Sequence, residues 1–172
     1  KLEALRYEGK DGAKISDLTG LEHCISITDL SLHNHALTET SPIGQLLQLI
    51  NLDISRNELS DISSLSGLTN LTNLSLYSNQ VRDISPLENL TNLSKLSINN
   101  NSISDLTPLE KLTVLDTLGF GDNPVTDFTP IASLSNLDLF AFHPLEGQSI
   151  DPLLSRLVSS LSQLPNLVHI NL

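Results

Sequence analysis

Leucine recurs every 22 positions along this chain of 172 residues. We call each set of equivalent positions a column. One such column consists of Leu52, Leu74, Leu96 and Leu118, and others run in parallel with it. Within each period a short stretch such as Asn73–Tyr77 alternates polar and apolar residues. This alternation predicts a short strand with one face toward a core. Each predicted strand is followed by an asparagine, at Asn57, Asn79, Asn101 and Asn123.

A fixed period of this length, with alternating leucines and a following asparagine, is typical of a leucine-rich repeat solenoid. We therefore predict an α/β fold in the form of a right-handed curved horseshoe. A parallel β-sheet should line its concave face, and short 3₁₀ turns should line its convex face. The asparagine amides should bond backbone groups inside each coil, where a coil is one full repeat, and so form a structural ladder. Aspartates at a shared position should cap the convex turns, at Asp17, Asp61, Asp83, Asp105 and Asp127.

The repeat is irregular at the start of the chain, over residues 1–23. Three extra residues within 8–14 would let Leu2, Leu5 and Tyr7 face inward without burying charged side chains. In the next coil His35 occupies a ladder position, and we expect Asn34 to replace it by a slip of one residue.

Regular 22-residue repeats extend over 24–153, and a longer final repeat covers 134–172. Leu145 interrupts the asparagine ladder there. Asp151 followed by Pro152 predicts the start of an α-helix on the convex side of this last coil. We interpret 1–172 as a single leucine-rich repeat domain and expect it to be a fragment of a longer protein.

Composition narrows the range of functions. The net charge is −11 and only nine residues are Lys or Arg, which argues against nucleic-acid binding. Apolar runs are too short for a membrane span. No catalytic or phosphate-binding motif is present, so we predict that the domain is not an enzyme and needs no cofactor. Cys24 lies in a leucine column, which favours a small core residue over a nucleophile.

The outward-facing strand positions are the candidate binding residues. Those we select as a partner-binding set are His33, Asp53, Ser55, Tyr77, Lys95, Asn99 and His143. Tyr77 and His143 are the strongest candidate anchors, because aromatic side chains are rare in this chain and common at binding hot spots. The middle outward column contains small residues, which either allow a partner close to the backbone or are simply solvated. His33, Asp53 and Tyr77 are neighbours across coils, but an acid/base or metal site there is disfavoured, and we predict no bound metal.

The stretches Asp17–Glu22, Leu68–Leu71 and Asp83–Leu87 resemble the repeats of bacterial internalins, over about residues 11–153. The resemblance implies a protein-binding module, displayed on the cell surface or secreted by a bacterium, that binds a host receptor through its concave face. Similar repeats also occur in an intracellular regulatory subunit of protein phosphatase 1. A cytoplasmic scaffold or phosphatase-regulatory protein is therefore the alternative. The sequence sets neither the identity of the protein partner nor the oligomeric state.

Overall fold

A computed structural model describes residues 2–10, 13–144 and 150–171 of the chain. Within them, eight short strands form one open parallel sheet whose strand order follows the sequence. The strands are β1 (Ala4–Arg6), β2 (Asp29–Ser31), β3 (Asn51–Asp53), β4 (Asn73–Ser75), β5 (Lys95–Ser97), β6 (Thr117–Gly119), β7 (Leu139–Ala141) and β8 (His169–Asn171). This architecture confirms the predicted leucine-rich repeat solenoid, with its parallel sheet on the concave face.

The strand register follows the leucine columns. From β2 to β7, residues 22 positions apart face each other, as Leu52 faces Leu74. The number of positions between facing residues rises at both ends of the sheet. It is 25 where Leu5 faces Leu30, and 30 where Phe140 faces Ile170. The first coil therefore accommodates three extra residues, and the last coil accommodates eight, without changing which side chains face the core.

Short 3₁₀ turns occupy the convex side. Their bounds are Leu21–His23, Ile43–Gln45, Ser63–Gly67, Ser85–Leu87, Thr107–Leu109 and Thr129–Ser133. The aspartates cap these turns from just outside them: Asp61 Oδ1 accepts the backbone N–H of Ser63 at 2.8 Å, and Asp127 Oδ1 accepts that of Thr129 at 3.0 Å. Such a carboxylate satisfies a backbone donor that the short turn leaves unpaired.

The last coil carries the predicted α-helix. Helix α1 (Ile150–Leu161) begins one residue before the predicted cap at Asp151. It packs against the turn Thr129–Ser133, and its Leu157 and Leu161 are buried. Twelve helical residues in place of a 3₁₀ turn explain why this repeat needs a longer step. The predicted ladder interruption at Leu145 lies outside the described residues.

The core is a stack of leucine layers that ends in an aromatic cluster. The column Leu46, Leu68, Leu90, Leu112 and Leu134 is fully buried. In the last coils Phe120 packs against Phe128, Phe140 and Phe142, with ring centres 5.2–6.1 Å apart. Cys24 is partly buried and packs against the core, in agreement with a structural role.

Each ladder asparagine joins two coils. Asn101 Oδ1 accepts the N–H of Val81 at 3.0 Å, while Nδ2 donates to the carbonyls of Leu76 (3.0 Å) and Ile98 (3.1 Å). Asn57, Asn79 and Asn123 bond the equivalent backbone groups. One amide thus satisfies backbone donors and acceptors that the bend after each strand would otherwise leave unpaired.

Two of our expectations for the first two coils are wrong. Asn34 does not replace the ladder residue: it adopts a left-handed conformation (φ 60°), and its Nδ2 donates to the carbonyl of Gly9. His35 itself fills the ladder position, through its ring. Leu5 packs against the core, but Leu2 and Tyr7 are 52% and 48% exposed and do not face inward as predicted. Since β1 is an edge strand, its side chains are covered from one side alone.

Candidate functional site

The outward faces of the strands line an open groove of about 600 Å³ that extends from β1 to β7. Its middle column consists of Ser31, Asp53, Ser75, Ser97, Gly119 and Ala141. These short side chains leave the sheet backbone close to the surface of the groove. Of the predicted binding residues, Asp53, Lys95 and Asn99 line this groove.

A directional chain of hydrogen bonds crosses the first half of the groove. Asn73 Nδ2 donates to Asn51 Oδ1 at 2.5 Å, and Asn51 Nδ2 donates to Asp29 Oδ1 at 2.8 Å. Asp29 also accepts the hydroxyl of Thr28 and lies 3.6 Å from the Arg6 guanidinium. The Thr28 hydroxyl, followed by Asn51 and Arg6, holds the pKa of the Asp29 carboxyl below its usual value. The chain therefore ends on a carboxylate that is ionised at neutral pH.

Two of the predicted binding residues bond to each other. Both the N–H and the hydroxyl of Ser55 donate to Asp53 Oδ1, at 3.1 and 2.6 Å. Ser55 is 7% exposed, so it offers little surface to a partner. Its effect on the groove is to fix the orientation of Asp53.

The Asn99 amide is held in place by hydrogen bonds to Gly121 and Ser97. Its Oδ1 accepts the N–H of Gly121 at 2.8 Å, and its Nδ2 donates to Ser97 Oγ at 3.0 Å. A Cβ at Gly119 would come within 2.6 Å of Asn99 Nδ2. The absence of a side chain at Gly119 thus lets the Asn99 amide lie over the strand, where it lines the groove.

His33, Asp53 and Tyr77 each contact a different neighbour. His33 Nε2 lies 3.2 Å from Glu8 Oε1, Asp53 bonds Ser55, and the Tyr77 ring lies beside Arg56. In the part of the chain that the structure describes, no group of three or more His, Cys, Asp or Glu residues is arranged to hold a metal ion. His143 is exposed at the far end of the same column of strand ends.

A second asparagine ladder, on the flank before the strands, was missed by the sequence analysis. Its members donate from Nδ2 to a carbonyl of the preceding coil, as Asn70 does to Leu47 O (2.9 Å) and Asn92 to Thr69 O (2.8 Å). Asn136 and Asn166 continue it. Val114 occupies the missing position and is 45% exposed. The 22-residue spacing of Asn70 and Asn92 was the available signal for it.

Comparison with known proteins agrees with this geometry. The family model described as leucine-rich repeats (2 copies) matches residues 47–89, 69–111 and 91–133. The crystal structure of internalin C2 from Listeria monocytogenes is similar, with a TM-score of 0.76 and 38% sequence identity over 91% of this chain and 67% of that one. The chain belongs to the leucine-rich repeat proteins of the internalin class.

Two further internalin structures are similar to this internalin-class chain. An internalin (inlF) from Listeria monocytogenes has a TM-score of 0.66 at 27% identity, covering 98% of this chain and 60% of that one. The functional domain of InlJ from the same species, which includes a cysteine ladder, has a TM-score of 0.74 at 22% identity and shares the fold. The alignment covers 99% of this chain but 39% of the InlJ chain. A search of curated protein sequences finds no significant match.

The internalin class and the geometry together describe a protein-interaction module. The described residues contain no helix with the length and hydrophobicity that crossing a bilayer requires.

Proposed function

We propose that this domain is a non-enzymatic recognition module that binds a protein partner through the concave groove. The single observation that supports this proposal most directly is the groove itself, a surface that spans seven strands and has a middle column of small residues. Concave surfaces that run across several elements are where solenoid proteins bind partners. A stable interface needs about 800 Å² on each partner, which is an area that a surface of several coils can supply.

The candidate anchors stand around this groove. Lys95 is exposed at its edge, Tyr77 is half-buried at the ends of the strands, and His143 is exposed further along the same column. The interior of the groove is already hydrogen-bonded within the chain, through Asp29, Asn51 and Asn73 among others. A partner would therefore meet a pre-ordered surface and would lose little free energy to ordering it.

We further propose that the protein is displayed on, or secreted from, a bacterium and that the partner is a host protein. The support for this proposal is the resemblance to internalins. Fractionation of the native cells tests it: the protein should be found in the surface or secreted fraction. Its recovery in the cytoplasm would instead favour the scaffold or phosphatase-regulatory alternative.

Site-specific photo-crosslinking tests the concave site. A photoreactive phenylalanine analogue replaces Lys95 in one variant and Glu110 in the other, and both are exposed to surface proteins of host cells. Glu110 is the control because it is exposed on the convex face. We expect a defined crosslinked protein from the Lys95 variant alone. Crosslinks from Glu110 alone, or from neither position, would contradict binding through the groove.

A further inference from the structure

Three different side chains line the concave groove at equal intervals. Asp53 lies on β3, Lys95 on β5 and Leu139 on β7. Adjacent strands are about 4.8 Å apart, so each interval of two strands measures about 10 Å perpendicular to the strands. The order along the groove is therefore a carboxylate, a cation and an apolar side chain.

The carboxylate of Asp53 has a fixed orientation and one open oxygen. Its Oδ1 accepts both the N–H and the hydroxyl of Ser55, at 3.1 and 2.6 Å. Within the described part of the chain, no side chain bonds Oδ2. An oriented carboxylate oxygen suits the charged donor of a lysine or arginine, because hydrogen bonds between charged groups are stronger than those between neutral ones.

Lys95 is the cation that remains available in this groove. The other two charged side chains of the lining, Arg6 and Asp29, lie 3.6 Å from each other. Lys95 is exposed, and its neighbours in the strand register are Asn73 and Thr117, which are both neutral. Among the residues that the structure describes, none forms a salt bridge or a side-chain hydrogen bond with its ammonium group. A carboxylate of a partner would fit this position.

The far end of the groove is apolar. Leu139 is 39% exposed although it belongs to a central strand of the sheet. Its outward neighbour on β7 is Ala141, which faces Gly119 on β6. These small residues leave space beside the leucine. An apolar side chain that filled this space would remove the exposed surface of Leu139 from water, which is favourable.

The shape of the groove suits an extended segment better than a helix. Its middle column consists of small residues, and its volume of about 600 Å³ is spread over seven strands. A helix is about 10–12 Å wide and would stand above so shallow a floor. In an extended segment, residues three positions apart are about 10 Å apart, which matches the interval between Asp53, Lys95 and Leu139.

We propose that the groove binds an extended segment of the partner that crosses the strands and carries a cation, an anion and an apolar side chain at three-residue intervals. The cation bonds Asp53, the anion bonds Lys95 and the apolar side chain packs on Leu139. This inference rests on the proposed function, since it names the chemistry of the partner for the same groove. The anion is the middle residue whichever way the segment runs, because the cation of the groove lies in the middle.

Two pools of labelled synthetic peptides test this order. Each peptide has three fixed residues at three-residue intervals, and the other positions are a random mixture of neutral residues. The fixed residues are Lys, Glu and Leu in the first pool, and Glu, Lys and Leu in the second, so the pools have the same composition. The second order cannot match the groove in either direction.

The affinity of each pool for the whole chain is measured by titration. We expect the first pool to bind about fivefold more tightly or better, since two opposite-charge contacts replace two like-charge contacts. Equal binding, tighter binding of the second pool, or no binding of either pool would overturn the proposal.

Charge variants show whether the pools bind at these residues. Lys95→Asp should abolish the preference, because a cation then fits both charged positions of the groove. Asp53→Lys combined with Lys95→Asp should reverse the preference, while the net charge stays at −11. The matched control is Glu110→Lys combined with Lys111→Glu, an exchange of exposed charges on the convex side that should leave the preference unchanged. A preference that survives Lys95→Asp, or that the convex exchange abolishes, would overturn the proposal.

The pools and the photo-crosslinking experiment fail separately. A crosslinked protein at position 95 without a preference between the pools would overturn the charge order and leave the concave site standing. The absence of both a crosslink and pool binding would contradict the two proposals together.

Discussion

The guanidinium carbon of Arg56 lies 5.6 Å from the centre of the Tyr77 ring, in the next coil. The backbone N–H of Arg56 also donates to the Tyr77 carbonyl at 2.7 Å. A cation at this distance is attracted by the electron-rich face of the ring. The strongest aromatic candidate beside the groove is therefore a cation–aromatic pair, and a partner that bound Tyr77 would also meet Arg56.

Binding should depend on this pair. Tyr77→Ala and His143→Ala should each weaken partner binding by about 1–2 kcal/mol, because truncating an anchor removes contact area at a hot spot. Arg56→Ala should weaken it as well, by leaving the Tyr77 ring less fixed. The affinity of each variant is measured by titration with the partner that the crosslinking experiment identifies. Glu110→Ala is the matched convex control, and thermal unfolding of the variants should remain nearly unchanged. Unaltered affinity in the Tyr77, His143 and Arg56 variants alike would contradict the concave site.

The asparagine ladder should contribute far more to stability than its exposed counterparts. Asn123 is fully buried, accepts the N–H of Ile103 at 2.9 Å and donates to the carbonyls of Ile98 and Phe120. Asn123→Ala should lower the free energy of unfolding by about 2–4 kcal/mol, because these backbone groups would stay buried without partners. Urea unfolding measures this loss. Asn136→Ala removes one exposed side-chain hydrogen bond and should lower the free energy of unfolding much less. Equal losses in the two variants would show that burial does not determine how much a ladder asparagine contributes to stability.

The gap in the flank ladder can be filled. Val114→Asn should raise the free energy of unfolding by about 0.5–1 kcal/mol, because the amide adds a donor for a carbonyl one coil back. Val114→Thr is the control, since it has a similar shape and no amide. Comparison of the two variants by urea unfolding decides between the added hydrogen bond and the loss of the valine; no difference between them would contradict the bond.

Acid should destabilise the convex turns through their aspartates. The backbone N–H of Thr129, and then its hydroxyl, hold the pKa of Asp127 below its usual value, and Ser63 does the same for Asp61. A carboxyl whose pKa is lower in the folded chain adds stability above its unfolded value, about 3.9, and loses it as the pH falls through the folded value. The free energy of unfolding should therefore fall between about pH 5 and about pH 2. Urea unfolding over that range measures the slope. Asp127→Asn keeps the acceptor and cannot be protonated, so it should reduce the slope; an unchanged slope would contradict this assignment.

The fold was predictable because the same pattern of residues recurs in successive coils. Leu52, Leu74 and Leu96 each require the same inward position. A wrong assignment in one coil would therefore have conflicted with the assignments in the neighbouring coils. The three extra residues of the first coil were also predictable, from the cost of burying Glu8. The helix α1 followed from a run of leucines with helical spacing.

The contacts that depend on side-chain reach were not predictable in this way. Matching asparagine with asparagine favoured Asn34, but the ring of His35 has two nitrogens far enough apart to bond Ile15 and Tyr7 across the longer coil. The Arg56–Tyr77 contact joins two coils at positions that the leucine columns do not describe. The repeat fixes backbone positions, whereas these pairs depend on individual rotamers and on the partners that each side chain finds.

Within the described sheet each strand is paired with its neighbours in the sequence, in the order β1 to β8. Tension applied along the chain would therefore load one interface at a time, beginning at an end. Each coil of 22 residues that peels away lengthens the chain by about 70 Å when fully extended. If such a protein were held at one end while a ligand pulled on the other, its length would increase in discrete steps, one coil at a time. The coils that remained folded would keep their shape.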